Sequence, residues 1–331
     1  MRSGTRTALA VLSAAILLSS GTGGVSYASS RDGGHDPRAT TVYTLSPSGG
    51  NPEGVAWDHQ SSAFFTGLVA SGVIYRGTLD NPTVMPYITP AASPAGNSAV
   101  GMKVSHGRLF VAGGPTGSIY VYDIATQALL ARFETGAGGF LNDLVVTEQG
   151  DVYVTDSFRS TIWHLSPAMV AAGTGTPEAI TLAPEVVIPA VAGTFRLNGI
   201  VARHGGRELI VVDTTPGVLY RISIDPTDTA ARQVTTVEAP ALPGGDGMIV
   251  DRGRLVVVQG STAANPNGSL SFLKLKHHDS SALLDSVRGD PSLHGPSTVA
   301  RARHTYLVVN ADFAGTASPP FTISGLSRRG G

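Results

Sequence analysis

Four residues in this chain, Glu53, Asn142, Asn198 and Asp246, combine a side-chain oxygen with a shared setting. Each stands at the head of a short apolar run: Glu53-Gly54-Val55-Ala56-Trp57, Asn142-Asp143-Leu144-Val145-Val146, Asn198-Gly199-Ile200-Val201 and Asp246-Gly247-Met248-Ile249-Val250. Two carboxylates and two neutral amides suit a hard divalent cation. Ca2+ takes about six to eight oxygen ligands, drawn from carboxylates, Asn carbonyls and water. The two carboxylates balance its charge, and the amides add ligands without adding repulsion. Zinc prefers His or Cys; no His stands at these four places, and the chain has no cysteine. The competing explanation is that each residue makes a turn before a strand, because Asn-Gly and Asp-Gly are common turn pairs. Recurrence of all four at one phase of a repeat favours the ion.

The repeat is what must position them. Arg196 to Thr214, followed by Gly217 to Ile224, reads as three short strands joined by tight turns. The same pattern recurs from Pro52, Gly101, Asn142, Asn198 and Asp246, and more weakly from Gly295-Pro296-Ser297, with starts about 40 to 56 residues apart. That spacing is the length of a four-stranded propeller blade. The connecting stretches, such as Leu129 to Glu134 and Gln233 to Val237, supply the fourth strands. Six starts predict an all-β, six-bladed β-propeller over residues 40–327, in which Thr40 to Leu45 and Phe321 to Gly325 complete the last blade. A pair of β-sandwiches is the rival architecture. In a propeller the first strand of each blade lines the central channel, so the four donors converge at one end of it.

Composition agrees. The chain has 331 residues, 41 glycines, 21 prolines and 14% charged residues, a balance suited to an all-β protein rich in turns. A formal net charge of −1 gives no bulk attraction to nucleic acid or an anionic membrane, and no obligate protein partner is expected. Residues 1–28 read as an export signal. Arg2 and Arg6 precede the apolar run Ala8 to Leu18, and Ser26-Tyr27-Ala28 is a small-x-small site. Cleavage after Ala28 is expected, releasing a secreted protein that no longer touches the membrane; an uncleaved N-terminal anchor is the alternative. Residues 29–39 are a polar, Gly-rich linker, expected to be disordered.

The ordered set Pro52-Glu53-Gly54-Val55-Ala56-Trp57-Asp58, Asn142-Asp143-Leu144, Asn198-Gly199-Ile200 and Gly245-Asp246-Gly247-Met248-Ile249-Val250-Asp251 resembles the SMP-30/gluconolactonase/LRE-like family of six-bladed propellers, over roughly residues 40–312. The resemblance implies that Glu53, Asn142, Asn198 and Asp246 are ligands of one divalent cation, most often Ca2+. It also implies a hydrolase acting on the ester bond of a lactone or similar small molecule, lactonase- or arylesterase-like. In that mechanism the ion polarises the carbonyl, and Asp246 acts as general base or as nucleophile. Sugar-lactonase members often carry an Arg just before the blade-three Asn; here Phe140-Leu141 stands there. Blade two offers Gly101-Met102. Met102, Phe140 and His294 are therefore candidate substrate-pocket residues, and the rim suits a hydrophobic lactone or aryl ester better than a sugar.

Other readings stay in view. A non-catalytic propeller would use a structural ion and bind a protein or glycan on its top face. Phosphotriesterase activity is a third possibility. A strictosidine-synthase-like enzyme would lack most of the donors. His294 could also be a solvated loop residue. His277-His278-Asp279 is expected in a surface loop, because adjacent strand residues point to opposite faces. The Pro- and Ala-rich stretch from Thr174 to Val191 forms either a lid or a surface loop. No serine lies in a G-x-S-x-G elbow, and no P-loop, H-E-x-x-H or dinucleotide fingerprint is present.

Overall fold

The computed structural model describes residues 40–328 except Ser48, Ala95, 189–193, 226–227 and 314–319. The expected export signal, its cleavage point and the linker at 29–39 lie outside the described residues. Four sheets have four strands each, and one has eight. The eight-stranded sheet is two four-stranded units joined only where Thr44 and Leu45 meet Thr83 and Val84 in a short parallel pairing. The described strands therefore form six four-stranded antiparallel units.

Each unit begins with an inner strand: Pro52–Asp58, Met102–Ser105, Leu141–Val146, Leu197–Arg203, Gly245–Asp251 and Pro296–Ala302. Each inner strand packs beside that of the next unit, and Pro296–Ala302 returns to Pro52–Asp58, so the ring closes. Six apolar clusters repeat this circuit. One joins Phe65 of the first unit to Met102 and Val111 of the second, and the last joins Leu307 and Ile323 of the sixth unit to Phe64 of the first. The others lie between the remaining neighbours. A pair of sandwiches would concentrate its core between two sheets; a closed circuit of shared clusters is a β-propeller.

Sequence pattern follows radial position. Pro52–Asp58 is buried at every residue, whereas the outer strand Leu129–Glu134 alternates exposed and buried. A strand covered on both faces needs a continuous apolar run; one covered on a single face needs only alternation. The sixth unit takes its fourth strand from the other end of the chain, as Thr41–Leu45 pairs antiparallel with Thr322–Ser327. This covers a sheet edge that would otherwise be open to pairing. The stretch after Thr174 holds the fourth strand of unit three, Glu178–Thr181, and Ile180, Leu182 and Val186 are buried between units three and four. Its apolar residues thus make core, which a lid or surface loop would not; residues 189–191 lie outside the described set. Among the described residues no helix is long and apolar enough to cross a membrane.

A polar tie joins units five and six. Asp251, ending the inner strand of unit five, accepts two hydrogen bonds from Arg328 at 2.5 and 3.0 Å and one from the Tyr306 hydroxyl at 2.6 Å, both residues of unit six. Burial alone would raise the Asp251 carboxyl; the bonds from Arg328 and Tyr306 hold it below its ordinary range. Its contribution to stability is present at neutral pH and is lost as pH falls through that depressed value. Asp251→Ala leaves Arg328 almost fully buried without its partner and is expected to cost about 3–5 kcal/mol in denaturant unfolding at pH 7. A cost near zero would show that the apolar cluster alone holds units five and six together.

Candidate functional site

In the first inner strand, Pro52 pairs with Leu68 and Val55 with Thr66, so three steps on this strand face two on its neighbour. The same one-residue excess falls between Leu141 and Leu144, Leu197 and Ile200, Gly245 and Met248, and Pro296 and Val299. Such a bulge re-aims the side chains it displaces. The residues opening these five bulges are Glu53, Asn142, Asn198, Asp246 and Ser297. In unit two the strand proper starts at Met102, and Val100 takes the corresponding place. Its N–H donates to Ala112 O, and Ala112 N–H donates to Gly101 O.

The glycine after Glu53, Asn198 and Asp246 lets the units close in. A Cβ on Gly54 would lie 2.1 Å from Val100 O, and one on Gly199 2.3 Å from Asp246 O. The Asn-Gly and Asp-Gly pairs are therefore points of close approach within strands, and the turn explanation fails for them.

Glu53, Asn142, Asn198 and Asp246 line one cavity of about 350 Å3, together with Val69, Val100, Phe140, Phe195, Thr214 and Phe313. Each of the four holds a buried oxygen without a hydrogen-bond partner: Glu53 Oε2, Asn142 Oδ1, Asn198 Oδ1 and Asp246 Oδ1. Their orientation is built. Asn142 Nδ2 donates to Ser157 Oγ at 2.9 Å, and that hydroxyl donates to Leu197 O at 2.7 Å. This commits the amide nitrogen and leaves Asn142 Oδ1 free. The Asn198 side chain and the Gly247 N–H both hydrogen-bond the Asp246 carboxylate.

Charge makes the cavity demanding. Burial pushes the Glu53 carboxyl well up, and the negative charges of Asp246 and Asp143 push it further; Lys103 opposes this. Burial and Asp143 likewise raise Asp246, against the bonds from Asn198 and Gly247. Lys103 is itself committed to Asp143 at 2.9 Å. Buried carboxylates without a partner cation are costly, as are unpaired buried oxygens. One divalent cation would satisfy all four oxygens and both charges, so the residues present fit such an ion. Among the described residues lining the cavity the donors are oxygens and no His is present, a set suited to a hard cation.

The walls are aromatic. Phe140, Phe158 and Phe195 contact one another with ring centroids 4.9–5.5 Å apart. Two fully buried aspartates position them. Asp156 Oδ1 accepts the N–H groups of Phe140 and Phe158 at 2.9 and 3.1 Å. Asp213 holds Arg196, next to Phe195, through two bonds at 2.6 and 2.7 Å.

Of the three pocket candidates, Phe140 lines the cavity with the four donors, and Met102 and His294 are not among the described residues lining it. Met102 is fully buried in the apolar cluster between units one and two, because Val100 and not Met102 takes the channel-facing place. His294 lines a separate cavity with Ser292, Asn310 and Asp312. Val69, Phe195, Thr214 and Phe313 were missed. A signal existed for one of them: Phe140 and Phe195 precede Leu141-Asn142 and Leu197-Asn198 at nearly the same offset. The turn holding His277 and His278 is strained, with positive φ through Asp279, but Asp279 is buried and bonded to Arg203 at 2.8 Å and His204 at 3.0 Å. His204, Glu208 and Asp279 could together hold an ion. However, Arg203 and Arg221 already neutralise the two carboxylates, and the cluster lies at the opposite end of the inner strand from Asn198.

Closed β-propeller architecture with oxygen donors drawn from four inner strands defines the class. The chain belongs to the SMP-30/gluconolactonase/LRE-like family, whose model matches residues 51–263. The fold is similar to a gluconolactonase from Xanthomonas campestris (17% identity, 86% of this chain and 89% of that one, TM-score 0.60). It is similar to the calcium-binding protein regucalcin from Agrobacterium tumefaciens (16%, 86% and 97%, TM-score 0.59). It also resembles the WD40 β-propeller domain of Doa1 (11%, 83% and 78%, TM-score 0.53). No curated protein matches the chain.

Because Glu53 and Asp246 are raised, these two groups hold more protons in the folded chain without a cation than in the unfolded chain above about pH 5, where the lowered aspartates are ionised in both states. Their contribution to stability therefore falls as pH rises from there, and a cation that needs both carboxylates ionised offsets the loss. The melting temperature in millimolar CaCl2 minus that in chelator is expected to be larger at about pH 8 than at about pH 5. A difference of zero at both would refute an ion at these residues.

Proposed function

We propose that this protein is an exported six-bladed propeller that hydrolyses a lactone or ester with one divalent cation, most simply Ca2+, held by Glu53, Asn142, Asn198 and Asp246. One observation carries the proposal: four unpartnered buried oxygens, from four separate units, face a single cavity. Family membership and the likeness to a gluconolactonase and to regucalcin support the same reaction type and ion.

When bound, the cation supplies Lewis-acid polarisation of the substrate carbonyl and stabilises negative charge on its oxygen. The chain supplies the rest. Asp246 either takes a proton from the attacking water or attacks the carbonyl carbon itself, oriented by Asn198 and the Gly247 N–H. Ser157 holds Asn142 in the one amide orientation that presents oxygen. Phe140, Phe195 and Phe313 seat the substrate and keep bulk water from the carboxylates.

Asp246→Asn and Glu53→Gln are each expected to lower kcat/KM by about a hundredfold or more on any lactone or ester the wild type turns over. Either variant keeping full activity, while still folded by its melting curve, would sink the mechanism. For export, protein recovered from the medium is expected to begin at Ser29. Recovery of an intact N-terminus in the membrane fraction would replace secretion with anchoring.

A further inference from the structure

Beyond its four donors, the cavity has a wall that discriminates among lactones. Val69, Val100, Phe140, Phe195 and Phe313 are apolar, and Thr214 is the one other polar residue among the described residues lining it. Thr214 has no hydroxyl hydrogen to offer, because it donates to Gly245 O at 2.7 Å. The cations near the wall in sequence are committed as well: Arg196 to Asp213, Lys103 to Asp143, and Arg159 to Asp156. Apart from the Thr214 oxygen, which can only accept, a substrate entering this cavity meets hydrogen-bonding partners at its floor alone.

We infer that the wall selects an uncharged lactone or ester whose non-reacting part is apolar and bulky, an aryl or alkyl substituent, and rejects polyhydroxylated sugar lactones. This rests on the hydrolase reading above and adds the substrate class to it. The physical ground is asymmetric. An apolar substituent gains from leaving water, and an aromatic one adds edge-to-face contacts with Phe140 and Phe195. A ring hydroxyl placed against the same wall gives up its water partners and finds only the Thr214 oxygen, as an acceptor, in exchange. Each such loss costs about tenfold or more in affinity. The wall also offers no cation to pair an anionic substituent. Phe195 and Phe313 are 39% and 57% exposed, so their rings gain burial when such a substituent docks.

The test compares δ-decalactone with glucono-δ-lactone on the Ca2+-loaded wild type, alongside binding of the corresponding lactams, which are not turned over. The wild type is expected to prefer the alkyl lactone by about a hundredfold or more in kcat/KM. Phe195→Ala and Phe313→Ala change exposed rings and spare the fold. Each is expected to raise KM for the alkyl lactone about tenfold and so to narrow the preference for it over the sugar lactone. Equal or better turnover of the sugar lactone overturns the substrate class and leaves the hydrolase standing. If neither lactone is hydrolysed but the alkyl lactam binds at least tenfold tighter than the sugar lactam, the hydrolase falls and the selectivity of the wall stands. If neither is hydrolysed and neither lactam binds, both fall.

Discussion

Six inner strands converge on one axis, and the closeness of that approach governs the rest of the molecule. Backbone of one unit touches backbone of the next: Gly101 N–H donates to Asn142 O at 2.7 Å, and no side chain fits at Gly54 or Gly199. Side chains complete the joints. Thr155 reaches Asn198 O, Thr214 reaches Gly245 O, and Ser297 reaches Glu53 O. Bulged strands packed this tightly turn one side chain per unit toward the channel end. Bulge, following glycine and inward donor form one device at Glu53, Asn198 and Asp246; Asn142 keeps the bulge and the donor with Asp143 in the glycine's place.

That device concentrates polar groups where solvent is scarce. Two carboxylates share a cavity with Asp143 nearby, and Lys103 is already paired. A propeller needing only stability would fill these positions with apolar residues. Unit two does so with Val100, which is almost fully buried. At Asp251 and Asp213 buried charge is neutralised by protein cations. By contrast, the four-donor cavity leaves Glu53 and Asp246 with a buried oxygen each that no protein group pairs.

Aspartates at the ends of second strands do a different job. Asp156 and Asp213 are fully buried and occupy matching places in units three and four. One holds the backbone that carries Phe140 and Phe158, and the other holds Arg196 beside Phe195. The aromatic wall is thus fastened to the scaffold by polar anchors in sequence units that also supply Asn142 and Asn198. Metal-type floor and apolar wall are built from the same two repeats, which fixes their relation to each other.

Much of this was legible in the chain itself. Repeat spacing and continuous apolar runs determined the strand units, and the phase at which Glu53, Asn142, Asn198 and Asp246 recur marked them as one set. Local pattern suffices there because strand periodicity and burial are written in neighbouring residues. It could not tell Val100 from Met102 as the channel-facing residue of unit two, because a one-residue bulge shifts which side chain points inward and leaves the apolar pattern intact. Nor could it place His294 in a separate cavity, or bring Phe313 and Val69 to the wall, since these depend on how units six and one meet after the ring closes. Residue types and their order are local properties; which atoms share a cavity, and which buried oxygens are left without partners, was decided only by closure of the tertiary ring.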